Sequence, residues 1–401
     1  MIEYGYNLFR KLDNDMENRR MKILVAMDSY KGCFTSVEAG KAVRDGILWS
    51  DPETEIIVCP LADGGEGTMY ALCGNQTAEI MDLTVTGPLG EPVRGQYGIL
   101  NENIAVIEIA SAAGLPLIPK EKRDPLLTTT YGVGEMIRDG ISRGCRDFII
   151  GLGGSGTNDG GVGMLRALGW KFLDRQGRPI SHGGIGLRDL VSISDEEVLP
   201  ELLRCRFRIA CDVTNPLFGE NGCSAIFAPQ KGADPGAVAD MDRWMEAYSR
   251  LVKAHYPTAD PSAPGSGAAG GLGFAFSVFL QGKMESGARI VGEYLEIEDK
   301  IRQCDLVITG EGCLDGQSSM GKGPMYIARM GKQYGKPVIA LVGAIGSGAE
   351  KSLEEGMTAY FSIQPYPMSL SEAMMPEKAY LNLKNTATQV LNLYKTQNQS
   401  L

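Results

Sequence analysis

The sequence predicts an α/β protein of two domains: a Rossmann-like parallel-sheet domain built from both chain ends, and a mixed α/β domain inserted between them. Three observations predict this class. Six apolar, strand-like runs each end in a loop of Gly, Asp, Asn or Glu residues. Strand–loop–helix units occur near both ends of the chain, whereas the middle carries short strands with hairpin turns. A length of 401 residues also exceeds what one ordinary core serves.

Taken in order, Ile23–Met27 runs into Asp28-Ser29-Tyr30-Lys31-Gly32. Thr35 followed by Glu38 has capping-box spacing and predicts a helix over Val37–Trp49, with Val37, Val43, Ile47 and Leu48 as its apolar face. A strand at 55–59 leads into Asp63-Gly64-Gly65-Glu66-Gly67-Thr68 and a short helix from Glu66 to Leu72. Ile80–Val85, Val93–Leu100 and Asn103–Ile109 read as strands joined by Gly-Pro-Leu-Gly and Asn-Glu-Asn turns. Thr128–Ser142 reads as a helix, 146–150 as a strand and 170–180 as a hairpin. Further helices are expected at 236–254, 271–281 and 323–334. Domain boundaries fall near 80 and 290, giving 21–80 plus 290–395 as the Rossmann-like domain and 81–289 as the insert. Residues 1–20 are highly charged and read as a loose extension before Met21.

Composition excludes several classes. Hydrophobic residues at 43% and charged residues at 22% describe a globular chain. A formal charge of −10 argues against a nucleic-acid partner, which needs a basic face. No run approaches the ~18 apolar residues of a membrane helix. The nine cysteines include no C-x-x-C pair, so buried thiols in a reducing cytoplasm are expected over disulfides or zinc. With two histidines, His182 and His255, a Ser-His-Asp site or a His-based metal site is improbable.

The 52 glycines cluster at strand ends, where open α/β sheets bind ligands. Gly151-x-Gly153-x-x-Gly156 meets the dinucleotide fingerprint formally, but the acidic residue near the required distance, Asp174, opens a tight Asp-Arg-Gln-Gly turn. Gly316 to Lys322 has Walker A spacing, yet Gly323 stands where a Mg2+-binding hydroxyl is needed. Neither nucleotide motif is met, although Lys322 beside a helix start could still meet phosphate. One Asp in a turn most often bonds its own backbone. Asp28, Asp63, Glu66, Asp159, Asp212, Glu311 and Asp315 together, beside bare glycine backbone, suit phosphates and a divalent cation. Two readings of Gly265–Gly273 stay open: close packing through small residues, or a helix N-terminus offered to an anion.

Six motifs, in order, resemble the bacterial type I glycerate kinase family, the glycerate 2-kinases. They are Asp28-Ser-Tyr-Lys-Gly32, Ala62-Asp-Gly-Gly-Glu-Gly-Thr68, Gly153-Gly-Ser-Gly-Thr-Asn-Asp-Gly-Gly161, Cys211-Asp-Val-Thr-Asn-Pro-Leu217, Gly267-Ala-Ala-Gly-Gly-Leu-Gly273 and Thr309-Gly-Glu-Gly-Cys-Leu-Asp-Gly-Gln-Ser318 with Gly321-Lys322. They extend from about residue 22 to 360. Departures are Tyr30 where the family usually has Phe, Gly156 where Ala is common, and the N-terminal extension. The resemblance implies ATP- and Mg2+-dependent phosphorylation of D-glycerate, most often at the 2-hydroxyl, in an interdomain cleft. Within that frame Asp212 is the first candidate for the base and Asp63 the second, while Lys31 with Ser29 would hold the glycerate carboxylate or a transferring phosphate. Gly153, Gly154 and Ser155 would offer amides to phosphate, and Gly321 and Lys322 would steady the nucleotide. Asn158, Asp159 and Asn215 would contact substrate, and Glu311 and Asp315 would hold Mg2+. The competing readings are a kinase of another small hydroxy acid, an NAD-dependent oxidoreductase and a non-catalytic binding protein. The sequence leaves homo-oligomerisation open.

Overall fold

A computed structural model of the chain describes residues 20–74, 78–316 and 323–398. The expected extension therefore lies outside the described residues, apart from Arg20. Contacts divide the chain into two units, one running to Leu61 and resuming at Leu295, the other Ala62–Tyr294.

Strands are numbered in chain order. The first unit holds β1 (Lys22–Met27), β2 (Glu55–Val58), β11 (Leu306–Leu314), β12 (Val338–Ile345) and β13 (Ala359–Ser362). They form one sheet in the order β13-β12-β11-β1-β2, with every pair parallel. A central parallel strand is covered on both faces, so it reads as an unbroken apolar run. Ile23 to Met27 and Leu306 to Ile308 are fully buried accordingly. Each such aliphatic side chain contributes about 1.5–3 kcal/mol of transfer free energy. The helix Ser36–Ser50 begins with the capping box foreseen in the sequence, Glu38 N–H donating to Thr35 Oγ1 at 3.2 Å and Thr35 N–H to Glu38 Oε2 at 2.8 Å. It lies against Pro376–Asn398 so closely that a Cβ on Gly46 would stand 2.2 Å from the Lys384 carbonyl oxygen.

The second unit holds β3 (Ala78–Thr86), β4 (Pro92–Leu100), β5 (Ile104–Glu108), β6 (Asp147–Gly151), β9 (Arg206–Ala210) and β10 (Lys283–Glu285). Their order is β10-β9-β6-β5-β4-β3. The β3–β4 and β4–β5 pairs are the antiparallel hairpins expected from the turns, while β5, β6, β9 and β10 run parallel. The core beneath them includes Phe148 stacked on Phe207 at 4.9 Å.

Three expectations shift. The division follows Leu61 instead of falling near 80, because the helix Thr68–Cys73 packs on the second sheet: a Cβ on Gly98 of β4 would lie 2.3 Å from Cys73 Sγ. The helix expected from Thr128 starts at Tyr131, since Thr128 and Thr130 are bonded to the loop after β6. The 170–180 hairpin closes its Asp174 turn but adds only a single bridge, at Pro179, which has no N–H to extend a ladder. Lys171–Leu173 (β7) pairs instead with Ser192–Ser194 (β8).

Candidate active site

In the second unit, register builds the site. Glu108, Gly151, Ala210 and Glu285 form one row across the carboxyl ends of β5, β6, β9 and β10. Two residues further on, the last three of these strands deliver Gly153, Asp212 and Gly287. Asp212 Oδ1 accepts a hydrogen bond from Gly287 N–H at 3.3 Å. The Asp63–Thr68 loop lies on the same corner. A Cβ on Gly287 would stand 2.2 Å from the Asp63 carbonyl carbon, and one on Gly153 would stand 2.5 Å from Gly65 Cα. Bare backbone is required at both points. Gly287, which no sequence signal singles out, thus brings the two candidate bases, Asp63 and Asp212, to one place. Both residues are half-buried, with Asp212 Oδ2 enclosed, and Asp63 Oδ1 accepts from Gly65 N–H at 3.1 Å. Glu108 Oε1 takes the Met69 amide at 2.7 Å at the start of the following helix. Burial pushes its carboxyl pKa up.

The loop after β6 divides into a surface half and a buried half. Gly153 N–H reaches Gly64 O at 3.4 Å and Gly156 N–H reaches Ala113 O at 2.8 Å, so those amides are already engaged. The amides of Gly154 (φ +74°) and Ser155 donate to no protein acceptor among the described residues, and both residues face solvent at least in part. Beyond them the chain turns inward. Asp159 is 1% exposed, and its carboxylate accepts from Thr130 N–H and Oγ1 at 2.9 Å, Gly161 N–H at 3.0 Å and Gly163 N–H at 3.2 Å. Desolvation still pushes its pKa up. Asn158 is fully buried and donates to Ser224 Oγ at 3.0 Å. The polar side-chain atoms of Asn158 and Asp159 are thus enclosed, and their bonds tie the loop to Thr130 and Ser224. Asn215 likewise ties its own loop, Nδ2 donating to Asn221 O at 2.9 Å.

The Gly265–Gly273 stretch resolves toward packing. Gly160 N–H bonds Gly270 O at 3.0 Å, and a Cβ on Gly270 (φ +66°) would meet Thr157 O at 2.2 Å. The helix after β6 starts at Val162, well beyond Gly156, and Asp174 Oδ1 is spent on the Gln176 and Arg178 amides. A dinucleotide fold has neither feature. Sequence reading also missed Lys231, whose Nζ donates to Ser155 Oγ at 2.9 Å and to Thr157 O at 2.7 Å.

In the first unit, β1 and β11 are neighbours whose onward connections run to opposite sides, β1 to β2 and β11 to β12. That is a topological switch point, where α/β sheets open a crevice at the strand tips. Asp28 N–H donates to Gly310 O at 2.9 Å, setting Asp28 beside Glu311. Asp28 Oδ1 accepts from Ser29 N–H at 2.6 Å, and its other oxygen faces Gly323, the first residue of the helix Gly323–Gln333. A carboxylate is favoured at such a terminus. Lys31 is exposed on a turn closed by Cys33 N–H to Tyr30 O at 2.8 Å. The Tyr30 hydroxyl, an addition relative to Phe, donates to Leu341 O at 2.8 Å.

Glu311 and Asp315 lie four residues apart on and just past an extended strand, so their Cα atoms are about 13 Å apart. No group of three or more His, Cys, Asp or Glu side chains poised for a metal occurs among the described residues. These donors suit Mg2+, which takes one or two carboxylates and fills its shell with water and substrate phosphates. Glu311 and Asp315 would hold it directly or through water. Gly321 and Lys322 lie outside the described residues.

The profile of the glycerate kinase family matches residues 23–395. A glycerate 2-kinase of Escherichia coli (strain K12) is 43% identical over 354 residues, 88% of this chain and 93% of that one. A glycerate kinase of Halalkalibacterium halodurans is 41% identical over 353 residues, 88% and 93% of the two chains. A crystal structure described as glycerate kinase 2 from Salmonella typhimurium LT2 superposes with a TM-score of 0.84 at 40% identity, covering 94% of this chain and 99% of that one.

Proposed function

The chain belongs to the glycerate kinase family, and from that premise we propose that it transfers the γ-phosphoryl group of ATP to D-glycerate, at the 2-hydroxyl, with Mg2+. The observation that supports the reading best is the corner at Gly287. It sets the Asp212 carboxylate and the Asp63 backbone against one residue, on the same strand ends that carry the uncommitted Gly154 and Ser155 amides. Phosphoryl transfer needs in-line positioning and charge neutralisation more than covalent chemistry. Asp212 takes the hydroxyl proton, with Asp63 second in line. The Gly287 amide fixes one Asp212 oxygen and leaves the carboxylate aimed by the strand register. Gly154 and Ser155 present amides to phosphate. Lys31 and Ser29 hold the glycerate carboxylate or the group in transfer. Glu311 and Asp315 would hold Mg2+, which when bound neutralises phosphate charge.

A coupled ADP-release assay over a panel of small hydroxy acids tests the reading, with phosphorus NMR of the product. D-glycerate should turn over fastest and give 2-phospho-D-glycerate. Faster turnover of another hydroxy acid would replace the substrate, and a 3-phosphoglycerate signal would replace the position.

A further inference from the structure

The loop that meets phosphate rests on a buried cation. Lys231 is 1% exposed. It ends the short turn Pro229–Lys231, and Gly232 follows at φ +103°, so close to Arg123 that a Cβ there would stand 2.1 Å from the Arg123 carbonyl oxygen. That reversal sends the lysine inward. Burying an ammonium is costly unless its protons are used. Two of its three go to Ser155 Oγ and the Thr157 carbonyl. Thr157 Oγ1 and Asn158 Oδ1, both buried, remain without a hydrogen-bond partner among the described residues. The lysine thus bridges the two halves of the loop, bonding the Ser155 hydroxyl of the surface half and the buried Thr157 carbonyl, while the Thr157 and Asn158 side chains take none of its protons.

A serine oxygen that accepts from an ammonium must aim its own O–H elsewhere. Ser155 Oγ makes no other hydrogen bond among the described residues, and its residue is partly exposed. We propose that Lys231 is a positioning residue for the phosphate-binding loop: its buried ammonium turns the Ser155 hydroxyl outward as a donor beside the Gly154 and Ser155 amides and adds positive charge beneath the bound anion. This rests on the reading of that loop as a phosphate site. Burial lowers the Lys231 pKa to about 8, so the charge is present at neutral pH and lost in mild alkali. The titratable groups facing it are Asp159 and the Cys223 thiol; burial pushes that thiol up to about 11 and keeps it neutral in this range.

The test is a double-mutant cycle on kcat/KM for ATP with Lys231→Met, Ser155→Ala and the pair. A hydrogen bond to a charged group predicts a loss of about 10-fold for Ser155→Ala and roughly 10- to 100-fold for Lys231→Met. The double variant should be no worse than Lys231→Met alone. Losses that multiply, or a Lys231→Met enzyme with wild-type kinetics beside an impaired Ser155→Ala, overturn the proposal and leave the phosphate loop standing. Wild-type kinetics in Ser155→Ala instead remove the loop's hydroxyl from the site, and the proposal with it. Should Lys231→Met fail to fold, pH profiles decide. Wild-type kcat/KM should fall above about pH 8, and that fall should shrink in Ser155→Ala to the part carried by the charge alone; a fall of undiminished size in Ser155→Ala overturns the assignment.

Discussion

Asp159 and Asp212 sit in loops of the same unit, after adjacent strands of the same sheet, and their chemistry has opposite fates. Asp159 is sealed and surrounded by donors from Thr130, Gly161 and Gly163. Asp212 is half-buried, and the Gly287 amide bonds one of its oxygens. An Asp beside glycines is the same sequence signal in both cases. What separates them is where the next turn goes: after Asp159 the chain folds back over its own carboxylate, whereas Asp212 stays half-buried at a strand-end corner beside Gly287.

Substitutions can break that contrast. Asp212→Asn should retain folding, checked by circular dichroism, and lower kcat by about 10²- to 10⁴-fold, the worth of a positioned general base. Near-normal turnover would remove it from the mechanism. Gly287→Ala should follow, because a Cβ 2.2 Å from the Asp63 carbonyl carbon displaces the corner, and an error of ~1 Å at such a site costs roughly 10²-fold. An unaltered kcat would mean the corner does not align the two aspartates. Lys31→Ala, on an exposed turn, should raise KM or lower kcat sharply, by roughly 10-fold for a lost charged hydrogen bond. Wild-type kinetics would count against its role. Asp159→Asn should do the reverse of Asp212→Asn, lowering stability by about 1–3 kcal/mol through unsatisfied donors while sparing most turnover. Its pH dependence sharpens the point. Burial raises the folded pKa of Asp159, so its ionisation weakens the fold as pH climbs from the ordinary carboxylate range through that raised value. Urea midpoints measured across that window should decline in the wild type and lose this component in Asp159→Asn.

Much of the frame was legible in the chain. Unbroken runs such as Ile23–Met27 announced central parallel strands, and Thr35 with Glu38 marked a helix start that the bonds confirm. Local patterns failed where a distant partner decided. Thr128 and Thr130 look helical until Gly156 and Asp159 claim their hydroxyls. Lys231 stands in no sequence motif, and its burial follows from a reversal at Gly232 packed against the distant Arg123. Gly287 lies in no motif. Its importance comes from the register of four strands separated by long stretches of chain.

The way the first unit is threaded has a consequence during synthesis. β1 leaves the ribosome about 280 residues before β11, its neighbour in the sheet. At ~5–20 residues per second that interval is roughly 15–55 s. Meanwhile Ala62–Tyr294, which is continuous, can complete its own core. The nascent chain therefore carries an unpaired edge of Ile23–Met27 for most of its translation. Until β11 arrives, that apolar strand offers one open edge as a template for wrong pairing.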